Sequence, residues 1–122
     1  MNILIIEDNP VNVFVARTII LKIIPSAQIL NSETGEAGIE LLASHSFDLI
    51  LLDIQLPNMD GYETARTIRN LDTKDKNIPI VGFSAGEPEE FKKKGYESGI
   101  NDFLSKPIEV AFLKSILLKY YN

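Results

Sequence analysis

Five side chains suited to phosphate or metal chemistry stand just after short apolar runs of the sequence. They are Glu7, Asp8, Asp53, Ser84 and Lys106. Three of them are carboxylates, and like charges held close together cannot all stay ionised without a cation. Magnesium suits such a site, because it prefers oxygen ligands and is often held by one or two carboxylates plus a phosphate oxygen. A carboxylate is also a nucleophile in covalent catalysis, so Asp53 is predicted to form an acyl phosphate.

The other two side chains suit the stabilisation of a phosphoryl group. Lys106 supplies a compact positive charge for one phosphoryl oxygen, and the Ser84 hydroxyl can donate a hydrogen bond to another. With a cation they would surround the charge that spreads over the equatorial oxygens during phosphoryl transfer. The sequence therefore predicts a magnesium-dependent phosphoacceptor site, if the fold brings the ends of the apolar runs together.

The apolar runs predict five strands that alternate with helices. The strands cover residues 3–6, 27–30, 49–52, 80–83 and 102–104. The helical patterns cover residues 10–23, 36–43, 61–71 and 87–97, and a fifth helix follows the last strand. Alternation of this kind implies a parallel sheet with helices on both faces. Ligands of such folds bind beyond the carboxyl ends of the strands, which is where the five side chains would lie.

The first and the last predicted helix carry the strongest apolar patterns. Asn9 is predicted to cap the first helix, with Pro10 at its first position and Phe14 in its core stripe. The last helix has an apolar stripe at helical spacing. Its members are Phe112, Leu113, Ile116, Leu117 and Tyr120. Such stripes are typical of helices that bury one face against a sheet.

The fourth helix and two other features receive a structural interpretation. Residues 87–97 are mostly polar and offer mainly Phe91 and Tyr96 for burial, so this helix should be the least firmly held. The lysine run at residues 92–94 is interpreted as a solvated helix face. His45 has no catalytic neighbour in sequence, and no role is assigned to it.

Length and composition fit one intracellular domain. The 122 residues are 45% hydrophobic, so we expect a single domain over residues 1–122. Acidic residues outnumber basic ones by 17 to 12, and the net charge of −5 disfavours nucleic acids and anionic membranes as partners. Without cysteine, disulfides and thiolate metal sites are excluded. No signal peptide or membrane-spanning run is predicted, so we expect a cytoplasmic location.

Several short motifs resemble those of the response regulator receiver (CheY-like) domains of two-component phosphorelay signalling. Glu7-Asp8-Asn9 resembles the acidic pair, residues 53–61 the phosphoacceptor loop, Ser84-Ala85 the switch hydroxyl, and Lys106-Pro107 the lysine. The motifs occur in the family's order and with its spacing over the whole chain. The resemblance implies a single doubly wound (βα)5 flavodoxin-like fold of the α/β class, with a five-stranded parallel sheet in the order 2-1-3-4-5.

By this resemblance, the chain is a phosphoacceptor switch and is not an enzyme beyond its own phosphorylation and dephosphorylation. Asp53 would take the phosphoryl group from a histidine kinase or a histidine phosphotransfer protein, with Lys106 and Ser84 assisting. The implied magnesium ligands are Glu7, Asp8, Asp53 and the backbone carbonyl of Gln55. Ser84 and Phe103 would couple the site to the fourth helix, fifth strand and fifth helix, which would meet an unknown output partner. Phe103 as plain edge-strand core is the alternative.

The resemblance carries further expectations about the surroundings of the site. The peptide bond between Lys106 and Pro107 is expected to be cis, and the first helix is expected to receive the phosphodonor. Gly86 and Gln55 would line the entrance for attacking water. Glu7 departs from the family, where aspartate is commoner at that place, and it is longer by one methylene. The receiver domain is either stand-alone or excised from a larger regulator or hybrid kinase, and phosphorylation-dependent dimerisation stays open.

Three other functions are alternatives to the receiver interpretation. A phosphatase of the haloacid dehalogenase type needs a second aspartate two residues after the nucleophile, where this chain has Gln55. A flavodoxin-like cofactor binder would hold phosphate on its first loop, where Glu7 and Asp8 would repel it. A pseudo-receiver, acting as a phosphorylation-independent interaction module, would not need all five site residues. These alternatives are less consistent with the sequence, and the pseudo-receiver is the one that needs an assay.

Overall fold

The computed structural model of the chain describes residues 1–85 and 88–121, so Gly86 at the expected water entrance lies outside it. The strands are β1 (Asn2–Ile6), β2 (Gln28–Ser32), β3 (Leu49–Asp53), β4 (Ile80–Ser84) and β5 (Asp102–Ser105). The helices are α1 (Pro10–Ile23), α2 (Gly35–Ser44), α3 (Gly61–Arg69), α4 (Pro88–Ser98) and α5 (Val110–Tyr120). A short 3₁₀ helix at Lys74–Asn77, which the sequence analysis did not predict, precedes β4.

The five strands form one parallel sheet in the order β2-β1-β3-β4-β5, which confirms the predicted doubly wound fold. The register pairs Ile6 with Leu52 and Asp53 with Phe83. Glu7 therefore leaves β1 beside the end of β3, and Ser84, the last residue of β4, lies one residue past Phe83. The carboxyl ends of the three central strands thus lie next to one another, as the alternation of strands and helices predicted.

Two apolar layers hold the sheet from either side. α1 and α5 cover one face, where Ile20, Leu113 and Leu117 are fully buried. α2 and α3 cover the other face, where Ala65 and Ile68 are fully buried, and α4 packs beside α3. Each fully buried leucine or isoleucine stabilises the fold by roughly 1.5–3 kcal/mol. The sheet is thereby a rigid platform for the side chains that follow its strands.

Side-chain caps fix where the helices next to the strand ends begin. The Asn9 side chain accepts hydrogen bonds from the Val11 N–H at 2.8 Å and the Asn12 N–H at 3.4 Å, and Pro10 opens α1. This confirms the predicted cap. The Asp60 side chain caps α3 in the same manner, accepting from the Glu63 N–H at 2.9 Å. Such caps typically stabilise a helix by about 1 kcal/mol, and here they place α1 directly after the acidic pair.

Three aromatic residues that were expected in the core are exposed instead. Phe14 is 68% exposed, Phe112 is 62% exposed and Tyr96 is 53% exposed. The expectation failed because apolar spacing reveals a stripe, whereas the neighbouring elements cover only part of its width. On α4 the position facing the sheet belongs to Gly95, where a Cβ atom would lie only 2.0 Å from the Phe103 ring. Phe91, the other expected core residue of α4, has a side chain outside the described part of the structure.

A half-buried arginine ties the end of α3 to two loops. The Arg69 guanidinium donates to the Gly99 carbonyl at 2.7 and 2.9 Å, to the Ile78 carbonyl at 2.6 Å and to the Asn101 side chain at 2.8 Å. Burial lowers the pKa of this guanidinium. The arginine anchors the segments that enter β4 and β5, so it supports both strands from the end opposite to the site.

No described helix is long and apolar enough to cross a bilayer.

Candidate functional site

The three predicted metal-binding carboxylates meet at the carboxyl ends of β1 and β3. Glu7 and Asp53 are 1% and 2% exposed, whereas Asp8 is open to solvent. One oxygen from each carboxylate lies within 4.8 Å of the others. Three negative charges at such distances repel one another strongly, and the two buried ones have little water to screen them. The cluster is therefore a place where a cation is favoured.

Lys106 supplies part of the missing positive charge. Its Nζ lies 3.1 Å from Asp53 Oδ1 and 3.4 Å from Glu7 Oε2, and its side chain is 18% exposed. The backbone N–H of Lys106 donates to the Ser84 carbonyl at 3.0 Å, which fixes the end of β5 beside the end of β4. The peptide bond to Pro107 is cis, as the resemblance implied. One ammonium group against two buried carboxylates leaves the site with a net negative charge.

The loop after Asp53 folds back on its own strand. The Gln55 N–H donates to Asp53 Oδ1 at 3.0 Å and so orients the carboxylate. Glycine at position 61 lets α3 begin close to the strand. A Cβ atom at this position would lie 2.5 Å from the Asp53 carbonyl oxygen. Asn58 takes a left-handed conformation, with φ at 63°, within the turn. Local sequence thus holds Asp53 in place and brings the capped start of α3 close to it.

Glu7 has one satisfied and one unsatisfied oxygen. Oε1 accepts hydrogen bonds from Asn12 Nδ2 at 3.1 Å and from the Asn9 N–H at 3.2 Å. Among the residues that the structure describes, Oε2 is buried and makes no hydrogen bond, and the Lys106 ammonium faces it at 3.4 Å. Burial raises the pKa of Glu7, and the negative charge of Asp53 raises it further. An unsatisfied carboxylate oxygen inside a three-carboxylate cluster fits a hard divalent cation such as Mg²⁺.

The remaining predicted residues occupy the rim and the far side of the site. Ser84 is buried at the end of β4, next to the strand that carries Asp53. Gln55 is exposed two residues after Asp53. Phe103 is separated from β3 by β4, and its ring packs edge-on against Tyr96 with 5.4 Å between ring centroids. The structure therefore brings together the carboxylates and the lysine, whereas Phe103 lies between the sheet and α4.

An apolar surface borders the acidic cluster on α1. Val11 and Phe14 are 66% and 68% exposed in the first turns of this helix. Phe14 and Arg17 line a groove of about 210 Å³ together with Asp8 and the exposed Glu33. Exposed apolar side chains that are rimmed by polar residues commonly mark protein interaction sites.

Sequence comparison identifies the family. The family model of the response regulator receiver domain matches residues 3–118. The chain belongs to the response regulator receiver domain family. Receiver domains are signalling switches of two-component systems rather than classical enzymes, and the CheY-like fold described above is theirs. The identification confirms the resemblance that the motifs carry.

The relatives of this receiver domain include parts of much longer sensor proteins. It is 33% identical over 122 residues to the aerobic respiration control sensor protein ArcB of Escherichia coli K12, covering all of this chain and 15% of that protein. It is 38% identical over 121 residues to hybrid signal transduction histidine kinase M of Dictyostelium discoideum, covering 96% of this chain and 5% of that protein. The chain thus spans a small part of either relative's length.

A solved receiver domain resembles the chain in structure as well. The receiver domain of the sensor histidine kinase PA1611 from Pseudomonas aeruginosa PAO1 superposes with a TM-score of 0.86 and 29% identity. The superposition covers 98% of this chain and 95% of that one. The PA1611 structure is described with a magnesium ion coordinated in its active site cleft. Within the described part of this chain, the acidic cluster of Glu7, Asp8 and Asp53 is a group of residues that suits such an ion.

Proposed function

We propose that this receiver domain is a phosphoacceptor switch that takes a phosphoryl group from a phosphohistidine donor onto Asp53. The supporting observation is the 3.1 Å contact between Lys106 Nζ and Asp53 Oδ1 inside a cluster of three carboxylates. This geometry offers a nucleophile, a fixed positive charge and a cation site at one strand end. Intact-mass spectrometry after treatment with a small phosphodonor tests the proposal, because a phosphorylated Asp53 adds the mass of one phosphoryl group.

The proposed transfer exchanges one bond of the phosphorus atom for another. A carboxylate oxygen of Asp53 forms a bond to phosphorus while the bond from phosphorus to the donor's imidazole nitrogen breaks, and that nitrogen keeps the electron pair. The ammonium of Lys106 and the hydroxyl of Ser84 stabilise the phosphoryl oxygens. The proposed ligands of Mg²⁺ are Glu7, Asp8, Asp53 and the backbone carbonyl of Gln55. When bound, Mg²⁺ would neutralise negative charge on the phosphoryl oxygens.

The switch is proposed to run from Asp53 to the surface formed by α4, β5 and α5. A phosphoryl group adds negative charge beside Lys106, which now divides its charge between two carboxylates. Ser84 ends β4, the strand next to the one that carries Asp53. Phe103 packs where Gly82 and Gly95 leave room for its ring. Movement at the end of β4 would therefore reach α4 through this ring. An output protein, or a second receiver in a phosphorylation-dependent dimer, would bind the changed surface.

The proposed donor is a histidine kinase or a histidine phosphotransfer protein that docks on α1. This receiver unit of residues 1–122 works either alone or within a larger kinase, and the hybrid kinases among its relatives support the second arrangement. Val11 and Phe14 offer apolar surface beside the acidic cluster. A partner seated there would place its histidine close to Asp53.

Phe14→Ala is expected to slow phosphotransfer from a phosphorylated histidine phosphotransfer domain by about tenfold, because loss of an interface anchor commonly costs more than about 1.4 kcal/mol. Labelling by acetyl phosphate should stay unchanged, since Phe14 is not one of the residues proposed to hold the phosphoryl group or Mg²⁺. The measurement is transfer of radioactive phosphate between the two purified domains. Leu118→Ala is the control, because Leu118 is 57% exposed on the far end of α5. Equal slowing with acetyl phosphate would contradict docking as the cause.

Mg²⁺ is expected to raise the melting temperature by mass action. At ten times its dissociation constant a ligand adds about 1.4 kcal/mol of stability, which corresponds to several degrees for a domain of this size. The shift should be smaller in Asp8→Asn, where the exposed carboxylate of the cluster is lost. Calorimetric melting curves measure it, with sodium chloride at equal ionic strength as the control. An unchanged melting temperature in excess Mg²⁺ would contradict the metal site.

A further inference from the structure

Asn12 is a polar residue that the proposed phosphotransfer does not use. It lies half-buried in the first turn of α1, and its Nδ2 donates to Glu7 Oε1 at 3.1 Å. The Asn9 N–H donates to the same oxygen at 3.2 Å. The other oxygen, Oε2, faces the Lys106 ammonium at 3.4 Å and makes no hydrogen bond within the described ranges 1–85 and 88–121.

The different partners of the two Glu7 oxygens fix the orientation of the carboxylate. The oxygens of a free glutamate are equivalent, and its side chain has one more rotatable bond than aspartate. With Oε1 held by two N–H groups, the carboxylate of Glu7 has a fixed orientation. Its Oε2 faces the Lys106 ammonium, which also contacts Asp53. Partners that orient a metal ligand in this way commonly alter metal affinity by 10- to 100-fold.

We propose that Asn12 is a positioning residue for the cation site. It holds Oε1 of Glu7 and thereby reserves Oε2 for the metal ion. The inference rests on the proposed function, since it assumes that the cluster binds Mg²⁺. This role makes a residue of α1 a determinant of metal affinity. It also explains how Glu7, whose side chain is longer than that of aspartate, can act as a metal ligand at this position.

The test is a double-mutant cycle on Mg²⁺ affinity. Mg²⁺ is titrated into the protein while the amide resonance of Gln55, which is bonded to Asp53, is followed by two-dimensional NMR. Asn12→Leu keeps a similar size and removes the donor, and we expect it to raise the dissociation constant about tenfold. In a Glu7→Ala background, the same substitution should change the dissociation constant less than twofold, because Asn12 acts through Glu7.

Two further variants keep the result interpretable. Asn70→Leu is the matched control, because Asn70 is exposed at the end of α3 and should leave the affinity unchanged. If Asn12→Leu is unfolded, Asn12→Ser replaces it, since the shorter hydroxyl does not reach Glu7 Oε1. Circular dichroism of each variant without metal confirms that it is folded.

The outcomes separate this inference from the proposed function. If the parent protein binds Mg²⁺ and Asn12→Leu binds it with the same dissociation constant, the positioning role of Asn12 is overturned. The proposed metal site is then still supported. Weakening by the same factor in the Glu7→Ala background also overturns it, since the effect would then not pass through Glu7. Parent protein that does not bind Mg²⁺ overturns both. Weakening that disappears in the Glu7→Ala background supports the role of Asn12.

Discussion

The parent domain, treated with acetyl phosphate and Mg²⁺, is expected to gain one phosphoryl group in intact-mass spectra, and Asp53→Asn is expected to gain none. Asp53 is the buried carboxylate that ends the central strand, and Lys106 Nζ lies 3.1 Å from its Oδ1. An asparagine amide keeps the shape of the side chain but has no nucleophilic carboxylate. The expected loss is therefore complete, which makes it the largest effect predicted for this site.

Two controls accompany the Asp53→Asn experiment. Asp60→Asn removes a nearby carboxylate that caps α3, and asparagine caps about as well, so this variant should label like the parent. Removal of Mg²⁺ by a chelator should abolish labelling of the parent. If Asp53→Asn gains the same adduct as the parent, the phosphoryl group is accepted by another residue. A parent that stays unlabelled where another receiver is labelled would instead favour a phosphorylation-independent interaction module.

The fold and the centre of the site were predictable because both follow from where apolar runs end. Unbroken aliphatic runs predicted central strands, and parallel strands place their carboxyl ends at one edge of the sheet. The register of Ile6 with Leu52 then sets Glu7 beside Asp53 without any further information. Helix bounds were predicted within two residues where a cap or a proline marks them, as at Pro10.

Other features depend on contacts that sequence spacing does not reveal. The ring of Phe14 was expected in the core, but the sheet covers a narrower face of α1 than its apolar pattern suggested, which leaves the ring exposed. Arg69 bonds to the Gly99 carbonyl, thirty residues away along the chain. Asn12 gave only a weak signal, as an amide in the helical turn after an acidic pair. Residues that orient other residues are therefore found from the structure.

Lys106→Ala is expected to leave the domain folded but to separate phosphorylation from the change at the output surface. The substitution removes the ammonium from two buried carboxylates, and we expect it to reduce the free energy of unfolding by about 2 kcal/mol, somewhat less than for a fully buried pair. Typical domains have about 5–15 kcal/mol in total, so the variant stays folded. Chemical denaturation measures the loss, and added Mg²⁺ should offset part of it.

Whether phosphorylation still changes the output surface is measured from the amide resonances of β5 and α5 before and after phosphorylation. In the parent these resonances should move, because the phosphoryl group draws Lys106 and the end of β5 toward it. In Lys106→Ala the adduct should still form from acetyl phosphate while the resonances move far less. Lys119→Ala is the matched control, since Lys119 pairs with Asp102 at 3.0 Å but is 58% exposed and contributes little. A parent-like movement of the β5 resonances in phosphorylated Lys106→Ala would contradict the role of this lysine in the switch.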